Sequence, residues 1–500
     1  MSTTFAIAID HNDNGIYATE EALTQAVISL TWRLGMAAPY DPIAQVATAQ
    51  VTVRNMNQAF SPEQTPLLPG KRLRITSDDG TATRTHFIGR ITHVEPTPGD
   101  WGHKLAIIHA SDAMHELAQN QVRVTPLVDV RADEAIAAII DQCEIRFPVL
   151  AGYIVLGRAD SRVGQKLFGD PLDVDLQQGR SHFAYIGDLW GAGIAADEAI
   201  GQLANSERGR FYVNRQGQAV FLNRHHTLLQ TTSQASFDDD MQGLAYIYGD
   251  EVLSEVDVTV VPRTIGNPGS LLWSLAQPQR LPRQDARQIV ARYRDAEDNP
   301  MGALSLDNVA FTAKATATGG PDLTAQVDVG VLEAGMSAAV LEVRNFGEEE
   351  AYLHTLDLFG TPLMIADPLT LEWGNRYNLT TYGKQALELY LPALSDISEA
   401  DQIARYELVR RQQPRGSVHQ IGLNARSHAE HALARSLFDR ISLSDTQTGH
   451  SGDYFIVAEE HHVEVGGYRH RVRWTLEPAE DDRFFIIGQH NLDGTRYPMY

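Results

Sequence analysis

The sequence predicts a multidomain α+β protein that is mainly β, and three observations carry that expectation. At 500 residues the chain is too long for one hydrophobic core, and ordinary domain sizes divide it into about three or four units. Short apolar segments of period two, punctuated by Pro, Gly, Asn and Asp, recur along most of it. Segments with helical spacing are few by comparison.

Residues 1–113 read as an N-terminal unit of short strands. Thr48–Asn55 alternates apolar and polar residues until Phe60-Ser61-Pro62 breaks it. Leu68-Pro69-Gly70 turns the chain into Lys71–Thr76, Asp79-Gly80 turns it again toward His86–Ile91, and Leu105–Ala110 closes the set. Such a series suits a small barrel or sandwich. Residues 114–229 switch to mixed α and β. Asp133–Asp141 opens on acidic residues, which the positive end of a helix dipole favours, and continues with apolar residues at helical spacing. Ala195–Asn205 does likewise, with Ile200, Leu203 and Ala204 on one side. Gly209–Leu222 forms a hairpin turning near Gln216-Gly217.

After a connecting stretch, 230–283, residues 284–365 read as a separate β-sandwich of immunoglobulin-like spacing, without a cysteine pair. Its strand candidates are Ile289–Arg294, Val309–Thr316, Leu323–Val329, Ser337–Val343 and Tyr352–Phe359. Residues 366–500 hold two predicted helices, Glu399–Arg411 and His428–Arg440, and then strands Tyr454–Ala458 and Phe484–Ile487 around a hairpin.

That hairpin, His461–Leu476, is the most legible segment. The Gly466-Gly467 pair supplies the positive φ angles of a two-residue turn. Counting outward places Glu464 opposite Arg469, His462 opposite Arg471 and Glu460 opposite Arg473 on one charged face. The other face takes Val463, Val465, Tyr468, Val472, Trp474 and Leu476, with His461 and His470 among them. Two of the three arginines have a carboxylate across the ladder, which argues for a structural stripe over a nucleic-acid track.

The net charge of −23 opposes nonspecific DNA binding over the whole surface. No run of 18 apolar residues occurs, so no membrane-spanning segment is expected. The first residues, Met1–Ile7, do not resemble a signal peptide, and the single cysteine, Cys143, permits no intrachain disulfide; both fit synthesis in a reducing cytosol.

Chemistry-bearing clusters favour structural readings. His225-His226 and His461-His462, read as strand neighbours, point to opposite faces; His428 and His431 lie one helical turn apart with no third ligand indicated. Gly449-His450-Ser451-Gly452-Asp453 reads as a loop between a helix and a strand. The acidic runs Asp238-Asp239-Asp240, Glu348-Glu349-Glu350 and Glu459-Glu460 lack the set separation that glycoside hydrolysis needs. Asp10–Gly15, with Glu21 at the twelfth position, resembles a calcium loop but follows a strand where a helix should enter. Gly187–Gly193 lacks the context of a phosphate loop and reads as a loop anchored by Trp190. No catalytic, cofactor-binding or metal residue is therefore predicted, and no enzyme.

Several stretches together resemble bacteriophage tail or baseplate hub proteins and the minor tail proteins of long-tailed phages. They are Ile9-Asp10, Leu23-Thr24, Leu30–Gly35, Val51–Asn55 leading to Phe60-Ser61-Pro62, Pro69–Ile75 with Phe87–Ile91, Arg208–Val213 and Tyr382–Leu387. The resemblance implies two hub-type β-barrel domains, one from 1–113 and one from parts of 230–283 and 366–500, beside the α+β domain and the inserted sandwich. It also implies a homotrimer whose six barrels ring the tail axis, pairing through strand edges and apolar faces, the Trp474 face included. Its partners would be further copies of itself, the hexameric tail tube and distal tail proteins, and a central fibre or spike, with genomic DNA passing through unrecognised. Its place would be the virion tail tip, after synthesis in the host cytoplasm. The alternatives are a receptor- or carbohydrate-binding tail protein acting through the 284–365 sandwich, and a tail-associated wall hydrolase.

Overall fold

In a computed structural model, the structure describes residues 3–11, 15, 17, 23, 26–65, 67–98, 102, 104–143, 173–191, 193–464, 469–479, 484–485 and 497–498. It is mainly β and multidomain, as the turn-punctuated alternation requires. The largest element is a 12-stranded sheet. Its first half consists of β1 (Thr4–Asp10), β2 (Val27–Gly35), β3 (Thr48–Arg54), β4 (Arg72–Asp78), β5 (Thr83–Thr97) and β6 (Leu105–Ser111), paired in the order β1-β4-β5-β6-β3-β2.

β2 then pairs antiparallel with strand His450–Glu464, Trp32 opposite His461. The sheet continues through Arg469–Pro478, Gly416–Asn424 and Leu244–Tyr248. Strand Arg440–Asp445 lies against His450–Phe455 and takes Ser236–Phe237 at its other edge. N-terminal and C-terminal strands thus share one ladder and one core, in which Ile7, Val51 and Phe87 are buried with Ile421, Ile456 and Trp474.

The C-terminal hairpin has the register that counting gave: Glu464↔Arg469, His462↔Arg471 and Glu460↔Arg473. The Gly466-Gly467 turn, with Val465 and Tyr468, lies outside the described residues. One implication of the resemblance is corrected. Trp474 is fully buried inside the chain's own core, its ring edge-on to Phe237 at 5.7 Å, so that face is not offered to a neighbouring barrel.

Three local expectations also change. The helix predicted over His428–Arg440 spans only Ala429–Ala434; Phe438 adopts a left-handed φ of 65° and Arg440 begins a strand. Gly449–Asp453 is not a helix-to-strand loop, because His450–Asp453 pairs with Ser442–Asp445 and the turn sits at residues 446–449. Leu323–Val329 does not run as a strand: a 3-10 turn occupies Thr324–Gln326, its Thr324 backbone N–H capped by Asp322, and the strand begins at Val327.

A second core gathers helix Ala132–Gln142 and helix Ala196–Glu207 against strands Arg210–Val213 and Ala219–Leu222. Ile136, Ile139, Ile200 and Leu203 supply the inward stripes. The same core takes in Val256, Val258 and Val260 of strand Glu255–Val260, which lies between Leu369–Gly374 and Ala386–Leu391, and it extends to Ile403 of helix Ile397–Arg411. A third core fills the sandwich between a six-stranded and a three-stranded sheet. Strand Ala351–Ile365 organises the larger sheet, pairing with Gly302–Thr316 and, on its other edge, with Arg263–Ile265, Ser270–Ser274 and Gln279–Leu281. Those last three strands lie upstream of residue 284 and complete the same sheet.

Candidate functional site

Where the cores meet, buried arginines close the joints, and the first cluster grows from Arg208-Gly209-Arg210. Helix Ala196–Glu207 ends on Arg208 in the left-handed region at φ 58°. Gly209 is required next, because a Cβ there would stand 2.6 Å from the Leu222 carbonyl oxygen. This turn sends the two arginine side chains to different carboxylates. Arg208 donates from Nε to Glu407 at 2.9 Å and approaches it through Nη2 at 2.7 Å. Arg411 also reaches Glu407, at 3.0 Å. Burial alone would raise the Glu407 carboxyl, but Arg208, Arg410 and Arg411 outweigh it and hold the group well below the usual carboxylate range.

Arg210 donates to both carboxylate oxygens of Glu477, at 3.0 and 3.2 Å, and Glu477 also accepts the Tyr40 backbone N–H at 2.7 Å. Arg410 lies over the Tyr40 ring at 4.4 Å. Glu477, on strand Arg469–Pro478, thereby ties the second core to the large sheet, while Glu407 locks helix Ile397–Arg411 to helix Ala196–Glu207 within the second core, both through charge-assisted contacts. A further clamp joins the loop at Asp188 to the entrance of the sandwich: Arg263 grips both Asp188 oxygens, at 2.8 and 3.1 Å, with each side chain almost wholly buried.

The other cluster is a nest of imidazoles inside the large sheet. Arg215, just after strand Arg210–Val213, forms a bidentate pair with buried Glu459 and donates to the Leu433 carbonyl at 2.7 Å. His461 lies beyond Glu459, its Nε2 3.7 Å from the carboxylate, and its ring stacks on Trp32 at 4.4 Å. His461 Nδ1 and His470 Nε2 share a hydrogen bond at 2.9 Å, and His86 Nε2 shares one with Ser77 Oγ at 2.7 Å. Burial disfavours the charged form of all three rings and Arg215 acts in the same direction; neighbouring imidazoles add to it at His86 and His470, Glu459 opposes it at His461 and His86, and His470 falls to about 2. These are neutral aromatic core residues, hydrogen-bonded in pairs.

The residues weighed from sequence fall apart in space. His461 is buried while His462 is half-buried beside Glu464, on the opposite face as strand alternation requires. His225 and His226 lie in a helical turn, not a strand: His225 caps the helix and His226 begins it, meeting Gln177. His428 and His431 both pack on Phe237, with ring centroids at 5.6 and 5.4 Å. Asp239 caps Thr446, Glu350 pairs with Arg280, and Glu459 and Glu460 separate to Arg215 and Arg473. Asp10 is buried and accepts from the Gly15 backbone N–H at 2.7 Å, whereas residues 12–14 and Glu21 lie outside the described residues. Trp190 anchors its loop by donating to Gln202 at 2.8 Å. Sequence reading missed Arg215, whose partner Glu459 is 244 positions away, and His86, which meets Ser77 across the β4–β5 pair, and also a group formed by His93, Glu95 and His109. The spacing of His93 and Glu95 on a strand is the one local signal for that group.

Taken together, the fold is that of a tail protein of bacteriophage type, which bears out the resemblance read from the sequence. The chain is similar to the 43 kDa tail protein of prophage MuSo2 from Shewanella oneidensis, with a TM-score of 0.50 and 8% identity over 96% of this chain and 99% of that one. The tail protein from Neisseria meningitidis MC58 matches with a TM-score of 0.49 and 8% identity, over 96% and 98% of the two chains. No family model matches the sequence, and no curated protein matches it. At this identity the likeness is one of fold, and it covers 96% of the chain.

Proposed function

We propose that the chain is a structural hub component of a phage tail tip, acting through protein contacts and not as an enzyme. The observation that carries this reading is the match to a prophage tail protein over nearly the whole of both chains. In this reading the N-terminal and C-terminal strand sets are two barrel-like lobes, and three copies bring six lobes around the tail axis. The ring joins a hexameric tube above to a threefold fibre or spike below, while DNA passes without specific contact. The protein is made in the host cytoplasm and works in the virion tail.

The shared ladder of the two strand sets, and the buried arginine clamps that fix the second core and the sandwich to their surroundings, support such a role, since a ring that bears load needs its parts held at fixed angles. Native mass spectrometry and sedimentation of the purified chain, alone and with the tail-tube protein, test the proposal. A trimer, or a trimer formed on adding tube protein, is expected; a strictly monomeric mass in both conditions refutes it.

A further inference from the structure

The outer face of the β5–β6 pair carries a group of side chains that the hub role does not use. β5 contains a bulge: Ile91 stands opposite Ala110 and His93 opposite His109, leaving Thr92 as the extra residue. Before the bulge, Phe87 and Ile91 point into the core; after it the alternation is reversed, Val94 packs on the core, and His93 and Glu95 face outward. His109 faces the same way from β6, and the ligand atoms of these three residues all lie within 4.8 Å of one another.

The geometry points to a divalent transition-metal site of the zinc class, held by His93, Glu95 and His109 with a fourth position open to solvent. Two imidazoles and one carboxylate form a set that zinc accepts, whereas magnesium and calcium prefer oxygen ligands. A tetrahedral ion with ligand bonds of about 2.0–2.1 Å separates its ligand atoms by roughly 3.3–3.4 Å. His93 Nε2 stands 3.4 Å from Glu95 Oε1, and His109 Nε2 stands 3.8 Å from Glu95 Oε2. The two rings are stacked at 4.2 Å, and His93 is more than half exposed.

Thr92 fixes the chemistry. Its hydroxyl donates to the His109 carbonyl at 3.2 Å, which leaves the oxygen to accept from His93 Nδ1 at 3.1 Å. With Nδ1 donating to Thr92, His93 has Nε2 turned toward the Glu95 carboxylate, where its lone pair can take a cation. The buried Nε2 of His109 also lacks a hydrogen-bond partner. The bulge thus gathers the ligands and supplies the hydroxyl that orients one of them.

The test is equilibrium dialysis of the full chain against zinc or magnesium, with bound metal counted by elemental analysis. Wild type is expected to retain one more zinc per chain than His93→Ala/His109→Ala, and no more magnesium than that variant. Cobalt should give the visible bands of a four-coordinate site in wild type alone. Thr92→Val should weaken zinc binding roughly 10–100-fold, as loss of an outer-shell partner does, and Glu95→Gln should weaken it further. Should the double variant fail to fold, the comparison passes to the exposed His93→Ala and Glu95→Gln singly. Equal zinc retention by wild type and these folded variants, or equal retention of magnesium and zinc by wild type, overturns the proposal.

Discussion

Acid should unfold the large sheet through its neutral imidazoles, and the size of the effect follows from the site. His470 is buried beside His461 and Arg215, and its folded-state pKa of about 2 lies far below its unfolded value near 6.5. A histidine depressed in the folded state binds its proton only on unfolding. It therefore costs nothing at high pH and destabilises progressively as pH falls below the unfolded pKa. At about pH 4.5 the linkage relation gives roughly 2.7 kcal/mol for one such ring, and His86, lowered in the same direction by burial, adds a cost of the same sign.

Other groups oppose or overlap this trend. Asp112, with its carboxyl raised to about 8 by burial, gains relative stability over the same acid range, as do the raised Glu207 and Asp439. Glu407 and Glu459, held low by arginines, add their own loss only toward the lower end. The informative quantity is therefore the difference between wild type and His470→Gln. Urea unfolding followed by tryptophan fluorescence should show the variant losing about 2.7 kcal/mol less than wild type between about pH 7.5 and pH 4.5. Parallel stability curves for the two proteins would show that His470 is protonated in the fold, and the reasoning would be wrong.

Glu407→Gln leaves three guanidiniums around an uncharged amide and should cost about 3–5 kcal/mol in urea unfolding, as breaking a buried pair does; Arg208→Met with Glu407→Leu should cost less than either change alone. Gly35→Ala places a methyl against the Val457 carbonyl at a φ of +105° and should cost roughly 2 kcal/mol or more, read as a lowered melting temperature. The Cys143 thiol, buried and raised to about 12, should resist a thiol-specific reagent in the native protein and react fully in urea; rapid native labelling would contradict its placement.

Much of the fold was legible because its signals are local. The hairpin register followed from a Gly-Gly turn and period two, and the helices over Ala132–Gln142 and Ala196–Glu207 from acidic starts and apolar stripes. Pairing between distant strands was not legible. Nothing near Arg215 names Glu459 as its partner, and the Thr92 bulge exists only once β5 lies against β6. The short helix Ala429–Ala434 shows the same limit from the other side: alanine-rich spacing suggested a longer helix, but the following residues are drawn into the strand that pairs with His450–Phe455.

The antiparallel seam between β2 and His450–Glu464 has a consequence for biogenesis. Tyr40, just beyond that seam, binds Glu477 across 437 positions of sequence. On the ribosome β2 must wait, with an open edge, until His450–Glu464 has been made, more than 400 residues later. Premature termination would release a sticky, half-finished ladder, and translation speed or a holding chaperone would then govern yield more than native stability does.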